Sequence, residues 1–179
     1  MKNTIFLFIS SLLLFISACS PSLSPFTQRL VEKNRWSESD LKKIQFYSSA
    51  DIILYRDYSS GMSRIESGEI KMINGRKIEE IRIPKGTPGV AVFQPKNNRL
   101  AVSFEEHNDR FLIFGPNPKR GNSYVLLASE WKNRRGKVKY NDQQYYTTTE
   151  SAVATLLVDI KKSKKVKVKS RSVKGRKVD

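Results

Sequence analysis

From Asp51 to Thr149 the chain is a succession of short β-branched and aromatic runs at about ten-residue spacing, separated by polar turns rich in Asn, Gly and Pro. No other feature constrains the fold as tightly. Ile52 to Tyr58 is the first run. Glu69 to Ile73 and Arg76 to Ile83 flank Asn74-Gly75, two residues that tolerate the positive φ of a type I′ turn and make this the strongest hairpin signal. Within that hairpin Ile78 is out of phase with Ile81 and Ile83, which predicts a bulge near Glu79 and Glu80. Val90 to Gln94, a turn at Pro95 to Asn98, and the alternation Leu100, Val102, Phe104 form a second hairpin. Phe111 to Phe114 is stopped by Gly115-Pro116-Asn117-Pro118. Tyr124 to Ala128, Lys137 to Tyr140 and Gln144 to Thr149 follow, with turns at Asn133 to Gly136 and Asn141 to Gln143.

No segment of helical period separates these runs, so a parallel α/β sheet is disfavoured. The expected architecture is mainly β (α+β): short N-terminal helices, a compact antiparallel β-barrel, roll or sandwich of about 8 strands, and a basic C-terminal tail. The helices are expected over Thr27 to Asn34 and after Ser37. Ser37 is a candidate N-cap with Asp40 three residues on, and the apolar spacing runs through Leu41 and Ile44 to Tyr47 or Ser48. Near the other end Ala152, Ala154, Leu156, Val158 and Ile160 alternate. Val166 and Val168 keep their parity, while Lys165, Lys167, Lys169 and Arg171 take the opposite one. Two readings stand: a long final strand from 152 that leaves the sheet as a ribbon with a basic edge, or a helix from Glu150 to Asp159 capped by Thr149.

The formal net charge is +16, from 33 Lys and Arg against 17 Asp and Glu, with one His and one Cys. Residues 161–179 carry ten Lys or Arg (Lys161, Lys162, Lys164, Lys165, Lys167, Lys169, Arg171, Lys174, Arg176 and Lys177) against Asp179 alone. More than half the charge is therefore a terminal feature, and the body is only modestly basic. One His and one Cys leave no His/Cys metal cluster and no disulfide framework. No cofactor is implied.

The first residues read Lys2, then an apolar-dominated run from Ile5 to Ile16, then Ser17, Ala18 and Cys19. The run is short for a bilayer span, which needs about 20 residues, and suits the core of an export signal. Ile16-Ser17-Ala18-Cys19 resembles the lipobox of bacterial lipoprotein signal peptides: an aliphatic residue, two small residues and the acceptor Cys. Ile16 stands where Leu is usual. The resemblance covers only residues 1–19. It implies that Cys19 is diacylglycerated on sulfur, that the chain is cut before it, and that the new N-terminus is often acylated too. It also accounts for a lone Cys in an oxidising compartment, since a thioether cannot pair. Two or more acyl chains make the attachment stable. Ser20 follows the Cys, and in proteobacterial lipoproteins a residue other than Asp there goes with the outer membrane, so the periplasmic face of an outer membrane is expected. A Gram-positive cell, with the domain facing the wall, is the alternative. The chain thus divides into a signal peptide (1–18), a lipidated Ser/Pro tether (19–26), one helix-plus-β domain (27–160) and the basic tail (161–179).

Glu105-Glu106-His107-Asn108-Asp109 is the one cluster that resembles a catalytic or metal site, and a hydrolase using Glu105, Glu106 and His107 is one reading. A solvated hairpin connection explains the same residues, and G-x-S-x-G, H-E-x-x-H and G-x-x-x-x-G-K are all absent from the sequence. Trp131, Tyr140, Tyr145 and Tyr146 are interleaved with Lys132, Arg134, Arg135, Lys137 and Lys139. In a cytosolic protein this would read as a nucleic-acid face. Export removes nucleic acid as a partner, and the same chemistry suits an anionic envelope polymer such as peptidoglycan, lipopolysaccharide or teichoic acid, with Trp131, Arg134, Arg135 and Tyr145 as binding candidates. Cations of the tail each contribute up to about 1 kcal/mol near an anionic surface before screening, and the tail spans at most roughly 60 Å. Its plainer reading is a solvated end. The expected role is a non-enzymatic structural or interaction component of a cell-envelope assembly, such as a secretion or motility complex. A polymer-binding module is the alternative.

Overall fold

The computed structural model describes residues 22–58, 68–73, 76–96 and 98–163. The N-terminal apolar run, Cys19, the Asn74-Gly75 turn and the tail from Lys164 onward, with Lys165, Lys167, Lys169 and Arg171, lie outside the described residues.

Strand β1 (Leu23–Pro25) is followed by helices α1 (Gln28–Asn34) and α2 (Glu38–Leu41), then β2 (Gln45–Ser48), β3 (Ile52–Asp57), β4 (Glu69–Ile73) and β5 (Arg76–Ile83). Next come β6 (Pro88–Phe93), β7 (Leu100–Ser103), β8 (Phe111–Asn117), a 3-10 turn at Pro118–Arg120, and β9 (Ser123–Leu126). The chain continues through β10 (Glu130–Lys132), β11 (Arg135–Tyr140), β12 (Gln143–Thr148), helix α3 (Thr149–Ala152), β13 (Leu156–Asp159) and helix α4 (Ile160–Ser163). One antiparallel sheet has the order β1-β13-β2-β6-β7-β8-β9, and a second has β10-β11-β12-β3-β5-β4. The first curls until β9 meets its far side through the isolated bridges Thr27↔Ser123 and Val125↔Thr155. No continuous ladder closes it, so the sandwich-like architecture fits and the closed barrel does not. The strands outnumber the expected eight partly because two of them, Leu23–Pro25 and Glu130–Lys132, are three residues long and carry no apolar alternation.

Four local expectations are corrected. The helix after Ser37 stops at Leu41, and Gln45–Ser48 is a strand, because Phe46 and Ser48 alternate into the core. Residues 23–25 are not tether: they pair with β13 as an edge strand. No bulge lies at Glu79 and Glu80, since the register is continuous from Ile52↔Ile83 to Asp57↔Ile78; the irregularity falls between Ala91 and Phe93. Ile78 looked out of phase because a buried Glu79, and not Ile78, shares the inner face with Ile81 and Ile83. Near the C-terminus neither reading holds whole. A short helix capped by Thr148, not Thr149, ends at Ala152; Leu156 and Val158 then point inward from a four-residue strand inserted between β1 and β2. Asp159 ends that strand by accepting the N–H groups of Lys161 and Lys162, so the alternation does not continue as a ribbon through them.

One hydrophobic cluster unites both sheets and the helices. Phe26 sits at its centre, fully buried, with ring centroids 4.7 Å from Tyr124, 5.0 Å from Phe46 and 6.3 Å from Trp36. Its N–H donates to the Leu156 carbonyl at 2.8 Å and its own carbonyl accepts from the Tyr124 N–H at 2.9 Å. Phe26 thus ties the start of the chain to β13 and β9 at once.

Tyr124 donates its hydroxyl to Gln28 Oε1 at 2.7 Å, and burial pushes the phenol from its ordinary 10.0 up to about 12. The native state therefore holds its proton where the unfolded chain has lost it. The associated stability is whole below pH 10 and is lost as pH rises from there towards 12. Urea midpoints measured in steps from neutral pH into that range should fall with a steeper slope for the wild type than for Tyr124→Phe.

Candidate interaction surface

The side-chain period of a strand is two, and that splits the aromatic and basic residues of β10 to β12 between opposite faces. On β11, Val138 and Tyr140 are buried while Arg135 and Lys139 are exposed. The register places Val138 against Tyr145 and Lys137 against Tyr146, and sets Tyr146 beside Tyr55 of β3. Tyr145 is 2 % exposed, inside the core, with its ring 6.2 Å from that of Tyr140. It cannot serve as a surface contact, contrary to the sequence expectation. Trp131 pairs with Gly136 on the same side as Val138. A Cβ on Gly136 would lie 2.8 Å from the indole, so only glycine lets the ring lie this close. Because β10 is an edge strand, Trp131 remains half exposed.

The outer face is built around Arg135. Its Nε donates to the Tyr55 hydroxyl at 2.8 Å, and its guanidinium carbon stands 5.2 Å and 5.5 Å from the Tyr55 and Tyr146 ring centroids. Two phenol rings thus hold one cation flat against the sheet. Lys132, opposite Arg135, and Lys137 extend the basic row, and Glu130 pairs with Lys137 at 3.2 Å. Together with Asn133 they line a shallow depression of about 300 Å³. Asn133 and Arg134 both take left-handed backbone (φ 49° and 62°), forming the two-residue turn that lifts Arg134 to the rim. Arg134 meets Glu150 at 3.5 Å in full solvent, which contributes little. Such a face can stack on a sugar ring or protein side chain and hold a phosphate or carboxylate. Tyr55 belongs to it although no signal near β3 linked it to residues ninety positions on; only the sheet order joins them.

The Glu105 cluster is arranged differently. Glu105 accepts from Arg110 at 2.7 Å and from the Tyr140 hydroxyl, so the loop after β7 is clamped onto β11. Burial, and then the Glu105 carboxylate, push the Tyr140 phenol well above its ordinary value and keep it a neutral donor. Glu106 and His107 project into solvent and do not converge with Glu105 on one point. A depression of about 620 Å³ opens beside Glu105 and Phe104, but its charged lining includes the Lys71–Glu80 ion pair. Among the described residues no group of three His, Cys, Asp or Glu side chains could hold a metal ion.

Sequence reasoning missed a further polar group. Arg56 and Glu79 face each other across β3 and β5 inside the core, joined by an ion pair. Tyr145 donates its hydroxyl to Glu79 at 3.1 Å, Arg56 donates to Gln143 Oε1 at 3.0 Å, and the guanidinium carbon lies 4.9 Å from the Tyr145 ring centroid. Every charged atom of Glu79 is withdrawn from water and matched by a donor. The signal was the phase of Glu79 with Ile81 and Ile83, which the bulge reading discarded.

Comparison of the chain with protein-family models, with curated proteins and with solved structures found no match.

Proposed function

We propose that the chain is a lipid-anchored envelope lipoprotein, tethered through Cys19 to the periplasmic face of an outer membrane, and that its β-sheet domain is a non-enzymatic interaction component of an envelope assembly. The observation that carries this reading is the coincidence of the Ile5 to Ile16 apolar run, the small residues Ser17 and Ala18, and the sole cysteine of the sequence at position 19. The organisation of the domain supports it. β1 begins four residues after Cys19, which sets the anchored end against the body with only a short Ser/Pro spacer. Of the carboxylates withdrawn from bulk water, Glu79 and Glu105 are held in ion pairs with Arg56 and Arg110, and Asp40 is held by the N–H and hydroxyl of Ser37. That arrangement suits rigidity better than proton transfer. The test is a photoreactive group placed at position 146, in the native envelope, with the adduct identified by mass. The expected adduct is one defined envelope protein.

The Tyr55–Arg135–Tyr146 stack favours the second reading, an anionic polymer as partner. It predicts that Arg135→Ala reduces retention by purified peptidoglycan or lipopolysaccharide at low salt by about tenfold, because a stacked guanidinium is not replaced by a nearby lysine. Equal retention of Arg135→Ala and wild type removes this reading.

A further inference from the structure

β8 and β11 are each paired along only part of one side. β9 covers β8 from Phe114 to Asn117, which leaves Phe111 to Ile113 without a strand on the side opposite β7. β10 covers β11 from Arg135 to Lys137, which leaves Val138 to Tyr140 without a strand on the side opposite β12. Residues 127–129 cross from one sheet to the other. The Leu127 N–H donates to the Ile113 carbonyl at 2.8 Å, and the Ser129 N–H donates to the Lys137 carbonyl at 2.8 Å. Those bonds fix the direction of the open edges, because in an antiparallel strand the N–H and C=O of residues two apart point the same way. Phe111 turns its backbone groups to the side from which Leu127 reaches Ile113, and Lys139 turns its own to the side from which Ser129 reaches Lys137. Neither meets a strand there among the described residues.

A depression of about 510 Å³ lies between the two edges and is lined by both. Phe111, Ile113, Leu127 and Ala128 give it a partly buried apolar wall, and the Phe111 ring is braced by Phe93 at a centroid distance of 4.9 Å. Its charged residues are Arg99, Lys137 and Lys139, with no carboxylate among the lining. The depressions beside Glu105 and beside Arg135 both include glutamates. Lys137 and Lys139 are held by surface pairs with Glu130 at 3.2 Å and Asp142 at 2.8 Å, which cost little to exchange. Arg99 is exposed and has no ion pair among the described residues.

We propose that this groove takes an extended segment of a partner protein, acidic and apolar in composition, which adds as a strand to the open edge of β8. The proposal rests on the reading of the domain as an interaction component, and it gives the partner's chemistry and its place on the fold. A strand there satisfies the backbone groups of Phe111 and lays apolar side chains against Phe111, Ile113 and Leu127. Its carboxylates meet Arg99, Lys137 and Lys139. The same cations oppose pairing of a second copy at this edge, since that would bring like charges together. A hydrocarbon chain would fill the apolar wall but leave the backbone groups without a donor or acceptor.

The test uses the membrane-extracted protein in phosphatidylcholine nanodiscs, with a capped heptapeptide of alternating Glu and Val as the probe. At about 0.15 M salt, the Phe111 amide should exchange with deuterium at least about tenfold more slowly with the peptide bound. The Leu112 amide, which points to β7, should be unchanged and serves as the internal reference. The same peptide N-methylated at its three central residues keeps its charge, and with it any attraction to the basic tail, but cannot donate to a strand edge. It should bind about tenfold more weakly. The unmethylated peptide should lose about as much on the Arg99→Glu, Lys139→Glu protein. Equal binding of the two peptides overturns strand addition and assigns the groove to side-chain contacts alone. No protection of Phe111 at about 1 mM peptide overturns the site, and equal binding of a Lys/Val peptide overturns the acidic partner. A defined envelope adduct from position 146 with no protection of Phe111 removes the groove assignment and leaves the interaction reading standing; protection of Phe111 with no adduct does the reverse.

Discussion

Glu79→Ala should lower the stability of the domain by about 3–5 kcal/mol, and its Tm by roughly 10 °C or more. The size follows from what is left behind. Glu79 is fully buried and lies directly across from Arg56, whose side chain is only 10 % exposed. Removing the carboxylate strands a guanidinium in the core, where its remaining partners are Gln143 Oε1 and the ring of Tyr145. It also removes the Glu79 oxygen to which the Tyr145 hydroxyl donates. Glu79→Gln keeps the shape and an acceptor but not the charge, and should fall between wild type and Glu79→Ala. The double variant Arg56→Met, Glu79→Met removes both ions together and should regain most of the loss, because a buried pair as a whole contributes little beyond its own desolvation. Denaturant unfolding of the four proteins separates the cases. A loss below about 1 kcal/mol for Glu79→Ala would mean that water reaches the pair.

Cys19→Ala should abolish incorporation of labelled acyl chains and reduce the membrane-bound fraction by more than about tenfold in high salt, where electrostatic binding is screened. The domain itself should be unaffected, since its pairing begins at Leu23. Fractionation of Cys19→Ala with membranes at high salt, as the wild type does, would refute lipid anchoring.

The two sheets were legible in the sequence where β-branched or apolar runs are bounded by turn residues, whether the strand is buried on both faces, as β7 is, or exposed along its length, as Glu69 to Met72 are. Leu100, Val102 and the run at Phe111 to Phe114 lie in paired strands, and β4 and β5 pair from Glu69↔Glu80 to Ile73↔Arg76, around the predicted Asn-Gly turn. Legibility failed where a strand is too short to alternate, as at Leu23–Pro25, or where an ion takes an apolar position, as at Glu79. It failed also for the candidate surface. Trp131, Arg135 and Tyr145 are close in sequence, but strand parity sends Tyr145 into the core and Trp131 to the other side of the sheet from Arg135. Tyr55, which completes the stack on Arg135, arrives by the β3–β12 pairing, a long-range contact that local pattern does not encode.

On the proposed reading, Cys19 is the lipidated first residue of the mature protein. Mass spectrometry of the N-terminal peptide from membrane-extracted protein tests it most directly. The expected peptide begins at Cys19 and carries a diacylglyceryl thioether, with or without an amide-linked acyl chain. A peptide that retains Met1 to Ala18, or that begins at Cys19 with a free thiol, would contradict it.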